Sequence, residues 1–337
     1  MINIYFNHSF TETAYALEQL KKSMKEKICI FVTNNKDNFY FKNIADYFEI
    51  EKSFQNEKDY IEYYLKFCKE HKIDFFIPKN HVIEISKHIK LFLDNGIKVI
   101  TSCNYKTHLL LNDKFKMYEY LKNDNISINI PPFSIVNSYE EFLYEYNKIK
   151  KEGFSVVVKP TNGIGGNGYR KILEISELEE FQKYDKTIIS LNHLKNLIKN
   201  NEINSLFLSG YLTGKEYSID CLANKGELIN IVCRTIIDKH TQQIENKQEL
   251  IKISQELTKK LKLNNLYNIQ IRYHNNKIYL IEINTRMSGG IYKSCISGIN
   301  LLENCILLNE NLPILSNINK NLNLKIRDKK GYYVEIE

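Results

Sequence analysis

The stretch Lys159-Pro160-Thr161-Asn162-Gly163-Ile164-Gly165-Gly166-Asn167-Gly168 decides how the fold is read. It holds four of the chain's 13 glycines, and Gly163, Gly165 and Gly168 satisfy the spacing G-x-G-x-x-G. A dinucleotide-binding fold needs such a loop to leave a strand and open a helix, so that pyrophosphate meets the helix N-terminus. Here the following residues, Tyr169-Arg170-Lys171-Ile172-Leu173-Glu174-Ile175, read as a strand. The loop therefore joins two strands as a flap whose backbone N–H groups can cover phosphates. No Gly-Lys-Ser/Thr follows it, which excludes a Walker A loop. Lys159 closes the apolar run Val156-Val157-Val158, so a fixed positive charge stands on a rigid strand beside the flap, as polyphosphate requires. The alternative is a surface turn next to an ordinary lysine.

A second group lies near the end of the chain. Side chains alternate across a strand. Over Tyr267–His274, Gln270 and Arg272 point one way, while Ile269 and Ile271 point the other. Over 277–286, Glu282, Asn284 and Arg286 share a face, with Ile281 and Ile283 turned to the core. If the two strands pair, one surface collects the oxygen donors Gln270, Glu282 and Asn284 beside two arginines. Hard divalent ions take oxygen ligands and keep substrate phosphates in their shell, and arginine there stabilises a phosphoryl group in transfer. The competing reading is a solvated sheet face.

Working outward, the first hundred residues alternate in type. Strands are expected at 2–6, 28–33, 73–78 and 97–100, with helices at 11–27, 57–71 and 81–94. Such alternation argues for a parallel sheet covered on both faces. A charged helical segment at 105–123 leads to the break at Pro131-Pro132. Beyond it, strands at 133–136, 154–159 and 169–175 surround helices at 138–151 and 176–184. Strands near 205–212, 215–223 and 227–237, helix 245–263 and strands 267–274 and 277–284 make a mainly antiparallel α+β unit. The tail, 321–326 and 332–336, forms a hairpin around Lys330-Gly331.

With 337 residues, 43% of them hydrophobic, the chain can build two or three packed units, and disordered or collagen-like classes are excluded. The net charge of +7 comes from 47 bases interleaved with 40 acids, which argues against nucleic acid as a partner. The seven cysteines form no C-x-x-C pair, so reduced thiols in a cytoplasmic protein are expected. No apolar run approaches the ~18 residues that span a bilayer, so no membrane partner is expected.

Lys159-Pro160 with its glycine loop, then Gly214-x-Glu216-Tyr217-Ser218-Ile219-Asp220, Gln270 and Ile281-Glu282-Ile283-Asn284-Thr285-Arg286, follow the order of the ATP-grasp superfamily. The chain resembles its carboxylate–amine ligases, similar to carbamoyl-phosphate synthase and D-alanine–D-alanine ligase. The resemblance implies an α/β plus α+β architecture: an N-terminal Rossmann-like parallel-sheet (pre-ATP-grasp) domain at 1–104, followed by a two-subdomain ATP-grasp fold. The small subdomain with its flap would span 105–190, the large subdomain with a metal site 191–312, and a short tail 313–337.

It also implies roles. ATP would be held by Lys114, by Lys159 on the α- and β-phosphates, and by the loop of Gly163, Gly165, Gly166 and Gly168. Leu212 would offer backbone groups to adenine, and Glu216 would bind the ribose. Gln270, Glu282 and Asn284 would hold two Mg²⁺ (or Mn²⁺) ions. Arg286 and Arg234 would act on the phosphoryl group. Arg272, Ser288, Gly289 and Gly290 would bind substrate, with further pocket loops near 191–204 and 287–297 and in the N-terminal domain.

The activity implied is an ATP-dependent ligase that turns a carboxylate into an acyl phosphate and joins it to an amine; dimers are common in the family, so a homodimer is one of the open oligomeric states. A thiol acceptor, a phosphotransferase or a nucleotide sensor without turnover are the alternatives. Cys295 either lines the pocket or is a buried structural thiol, the second being favoured. Two departures from the family stand out: Ser209-Gly210 where a hinge Glu is usual, and Asn7-His8-Ser9-Phe10 in place of a glycine-rich turn.

Overall fold

A computed structural model describes every residue except 9, 162–167, 175–184, 201, 203, 204, 239, 319, 330–332 and 337; for 328, 329 and 333–336 only the backbone is described. The strands are β1 (Ile2–Phe6), β2 (Ile28–Asn34), β3 (Tyr47–Ile50), β4 (Phe75–Ile77), β5 (Lys98–Val99), β6 (Phe133–Val136), β7 (Val156–Lys159), β8 (Arg170–Leu173) and β9 (Ile188–Ser190). They continue as β10 (Leu206–Gly210), β11 (Glu216–Asn224), β12 (Glu227–Ile236), β13 (Thr241–Glu245), β14 (Asn265–His274), β15 (Lys277–Asn284), β16 (Asn323–Lys329) and β17 (Tyr333–Ile336). The chain divides into two compact units, one of residues 1–109, 217–270 and 283–337, the other of 110–216 and 271–282.

The first unit opens with a sheet of order β3-β2-β1-β4-β5 in which every pair is parallel. Alternation along β1 explains why both faces are covered. Ile4 and Phe6 enter one core with Leu17 and Leu20, whereas Tyr5 enters another with Tyr64, Phe67 and Phe76. The chain runs outward over β2 and β3, then returns to β4, so the strand order turns between β1 and β4. The helix expected at 81–94 is two helices, Val82–Lys87 and Ile89–Leu93. His88, between them, sits 2.7 Å from Glu57 and leaves helical geometry with φ −106° and ψ 14°.

The unit's other strands belong to a sheet of order β15-β14-β11-β12-β13-β16-β17, antiparallel at every pair from β11 to β17. Pairing of β16 with β17 supplies the expected C-terminal hairpin; its turn lies outside the described residues. Helix Gln248–Leu261 buries Leu250, Ile253, Leu257 and Leu261, as the periodicity predicts. It starts at Gln248 rather than 245 because Thr241–Glu245 is taken up as β13. One core joins the two ends of the chain: Ile4 and Leu17 share it with Leu302, Ile306 and Ile326.

The second unit holds a sheet of order β6-β10-β7-β8-β9, antiparallel except for β8–β9. Helix Tyr139–Lys151, capped by the Ser138 hydroxyl on the Glu141 N–H at 3.1 Å, packs Phe142, Tyr146 and Ile149 against Val156, Val158 and Leu208. A helix, Leu191–Lys199, stands where a substrate loop at 191–204 was expected; its strongly one-sided apolar face buries Leu194 and Ile198. The helix expected at 176–184 lies outside the described residues.

Residues 271–282, the outer part of the β14–β15 hairpin, belong to this unit too. Gly214 N–H donates to the Tyr273 carbonyl at 2.9 Å, and a Cβ at Gly214 would lie 2.6 Å from that oxygen. Gly214→Ala is therefore expected to cost about 1–3 kcal/mol, measured by denaturant unfolding. Among the described residues no helix is long and apolar enough to cross a membrane.

Candidate nucleotide and phosphate site

In the second unit, helix Lys114–Leu121 starts at Asp113, whose carboxylate accepts from the N–H groups of Phe115 and Lys116 at 3.0 and 3.1 Å. The Lys114 N–H donates to the Thr161 carbonyl at 2.9 Å, which ties this helix to the start of the glycine loop. The Lys114 ammonium then lies 3.1 Å from the Glu282 carboxylate. One turn on, the Tyr118 hydroxyl donates to the carbonyls of Ile281 and Leu280 at 2.8 and 3.1 Å. It also accepts from Lys159 Nζ at 3.3 Å.

Lys159 is boxed by the rings of Tyr118 and Phe207, at 5.2 and 5.3 Å from their centroids. Burial, reinforced by the charge of Lys114 and opposed by Glu282, pushes its ammonium down to about 7. Lys114, Lys159 and Glu282, distant in sequence, are thus brought together as two cations and one carboxylate. A desolvated net positive charge of this kind favours a phosphate group.

In the same unit, Arg272 forms an ion pair with Glu216 and donates through Nη1 to the Leu212 carbonyl at 3.2 Å. Its Nε is buried without a hydrogen-bond partner among the described residues. Arg272, expected with the substrate, stands with the positions expected to take adenine and ribose. Of the flap, Gly168 is described, with φ +80°, a conformation L side chains rarely adopt. Gly163, Gly165 and Gly166 lie outside the described residues.

Gln270 and Asn284 belong to the first unit and Glu282 to the second, on the neighbouring strands β14 and β15. All three are partly exposed, while Ile269, Ile271 and Ile283 are buried, as alternation predicts. Ile281, expected in the core, is only partly buried, whereas Leu280, on the opposite face, is fully buried. Among the described residues no three His, Cys, Asp or Glu gather as a metal cluster. Gln270 and Asn284 offer amide oxygens and Glu282 a carboxylate, donor types that suit a hard ion such as Mg²⁺.

Arg234, in the first unit, is buried under the loop that follows β15. Its Nε donates to Asp220 and to Ser294 Oγ, each at 3.0 Å, and Nη1 donates to Gln242 at 3.0 Å. Nη2 reaches Ser218 and Ser288 at 3.2 and 3.1 Å. A Cβ at Gly290 would lie 2.5 Å from Arg234 Nη1, so the glycine lets the loop lie directly on the guanidinium. Expected at the phosphate, Arg234 instead spends its donors on Asp220 and on holding Ser288–Gly290.

Asp220 also accepts from Ser294 Oγ at 2.6 Å and Asn268 Nδ2 at 2.8 Å. Sequence reasoning assigned Asp220 no role; an acid between Ile219 and Cys221 in a strand was the available signal. His108, also missed, holds Thr285 Oγ1 at 2.8 Å, between Asn284 and Arg286. Cys295 is buried with its thiol pushed up to about 12 by that burial, which suits a structural role.

Residues 202–331 match a family model described as ATP-grasp in the biosynthetic pathway with Ter operon. The carbamoyl phosphate synthase large chain of Clostridium acetobutylicum is 27% identical over 262 residues, covering 72% of this chain and 22% of that protein. The C-terminal section of the same enzyme from Aquifex aeolicus is 26% identical over 203 residues, 58% of this chain and 36% of that section.

Among solved structures, a biotin carboxylase β-γ-ATP complex from Campylobacter jejuni superposes with a TM-score of 0.68 at 17% identity, over 97% of this chain and 75% of the other. An L-amino acid ligase from Bacillus licheniformis does so with a TM-score of 0.63 at 14% identity, over 97% and 79%. Residues 202–331 thus match an ATP-grasp family model, and the solved structures share the fold over nearly the whole chain. The chain spans about a fifth of the length of the carbamoyl phosphate synthase large chain that it matches.

Proposed function

We propose that the chain is an ATP-dependent ligase that activates a carboxylate and joins it to an amine. The observation that carries the reading is the convergence of Lys114, Lys159 and Glu282 in one unit, which also holds Glu216, Leu212 and Arg272. A carboxylate oxygen attacks the γ-phosphorus, the bond from that phosphorus to the β,γ-bridging oxygen breaks, and ADP leaves. The amine nitrogen then attacks the acyl carbon, loses a proton and expels phosphate.

Lys114 and Lys159 offset the charge that makes two anions repel, and the glycine loop excludes water from the acyl phosphate. Gln270, Glu282 and Asn284 would hold Mg²⁺, which would add positive charge at the phosphates. Arg286 faces the transferred group, and Ser288, Gly289 and Gly290 line the acceptor's place with Arg234 behind them.

In this reading residues 1–104 are the Rossmann-like pre-ATP-grasp domain, 105–190 and 191–312 the two grasp subdomains, and 313–337 a tail. One solved relative is a biotin carboxylase domain dimer, which supports a homodimer here.

The test is release of ADP and free phosphate from MgATP with panels of carboxylic acids and amines. Glu282→Gln is expected to lower turnover by about 10–100-fold. Equal turnover in both proteins would remove the site. A phosphorylated product without free phosphate would favour the phosphotransferase.

A further inference from the structure

Lys79 follows β4 at the carboxyl edge of the parallel sheet, and its side chain is not used by the reading above. It is 7% exposed. Its backbone is clamped to the end of β1 by Asn7, whose Oδ1 accepts from the N–H groups of Lys79 and Asn80 at 2.7 and 3.2 Å. Asn7 Nδ2 returns a bond to the Asn80 carbonyl at 3.0 Å. β1 and β4 are the pair between which the strand order turns, and ligands of open parallel sheets bind in the crevice beyond the strand ends at that point.

The ammonium of Lys79 has three donors, yet among the described residues it makes one hydrogen bond, to the Met287 carbonyl at 2.7 Å, and no ion pair. Arg286 Nη1 approaches the same carbonyl at 3.4 Å. Two cations from distant parts of the chain therefore converge on one neutral oxygen. Burial and the charge of Arg286 both push the Lys79 ammonium well below the usual lysine range, and Asp220 pulls the other way. Asp220 is already engaged by Arg234, Ser294 and Asn268. A buried cation with a neutral partner is costly to keep, and an anion entering beside it supplies the missing counter-charge.

We propose that Lys79 and Arg286 together bind the carboxylate of the substrate, in the crevice bounded by the ends of β1 and β4 and the loop after β15. That the anion is the carboxylate to be activated rests on the ligase reading; that an anion binds there does not.

The experiment follows thermal unfolding of the full chain titrated with acetate, bicarbonate and inorganic phosphate at fixed ionic strength, with chloride as reference. Wild type is expected to be stabilised by at least one of these anions, and Lys79→Met to bind it at least about tenfold more weakly while unfolding at the same temperature or higher without it. A lysine that only pins Met287 predicts the reverse, a less stable variant with unchanged anion affinity, and that result overturns the proposal. So does a wild type indifferent to all three anions, a measurement that does not depend on the variant folding. MgATP binding is measured in parallel. Anion binding without nucleotide binding would sink the ligase reading and leave the anion site standing.

Discussion

Arg234→Met is expected to lose about 3–5 kcal/mol of stability in urea unfolding, more than any other single replacement considered. The side chains of Arg234 and Asp220 are 5% and 1% exposed, and the guanidinium lies 2.9 Å from the carboxylate. Removing the cation leaves the Asp220 charge buried, with the Ser294 hydroxyl and the Asn268 amide as its remaining side-chain hydrogen-bond donors among the described residues. Arg234→Met combined with Asp220→Leu removes both charges and should recover much of the loss, because the penalty belongs to the orphaned partner. Additive losses in the double variant would show that Arg234 acts mainly through Gln242 and the serines. The Ser288–Gly290 loop loses its floor in both variants, so substrate binding should not return with stability.

The second large effect is expected at Lys159. Lys159→Met should lower kcat/KM for ATP by about 10²–10³-fold, the scale seen when one preorganised donor to a developing charge is lost. Stability should move the other way. Lys159 titrates near 7 in the folded chain against 10.5 ordinarily. Between those values the unfolded state binds the proton more tightly, so the stability of the wild type rises with pH. Below about 7 the penalty for the buried cation is fully present. The variant should therefore exceed wild type in stability at low pH, and the difference should shrink as pH rises toward 10.5. Parallel pH profiles for the two proteins would mean that Lys159 is well solvated.

The parts of the site that were legible in the sequence are those set by local pattern. Lys159 could be placed because it ends an apolar strand, and Gln270 and Asn284 because strand alternation puts them opposite buried isoleucines. The parallel sheet was legible for the same reason. The partner of Lys159 was not: Tyr118 reaches it from a helix 41 residues earlier, and only packing decides that.

The pairing of Arg234 with Asp220 was not legible, because a guanidinium alone reads as a phosphate ligand and only packing brings the two together. The edge strand β3, partly exposed along its whole length, shows no apolar alternation and was passed over. The helix Leu191–Lys199 was open to reading by periodicity, since Leu191, Leu194, Leu197 and Ile198 fall on one face at helical spacing.

The shared core of the chain's two ends has a consequence for biosynthesis. Ile4, Phe6 and Leu17 leave the ribosome long before the side chains that cover them, which include Leu302, Ile306 and Ile326. Until those arrive, the nascent amino-terminal segment must keep an apolar surface in water. Contacts of such long sequence separation form slowly and leave partly folded chains open to association. The intervening unit of residues 110–216 and 271–282 can close earlier, so maturation of this polypeptide should finish where it began.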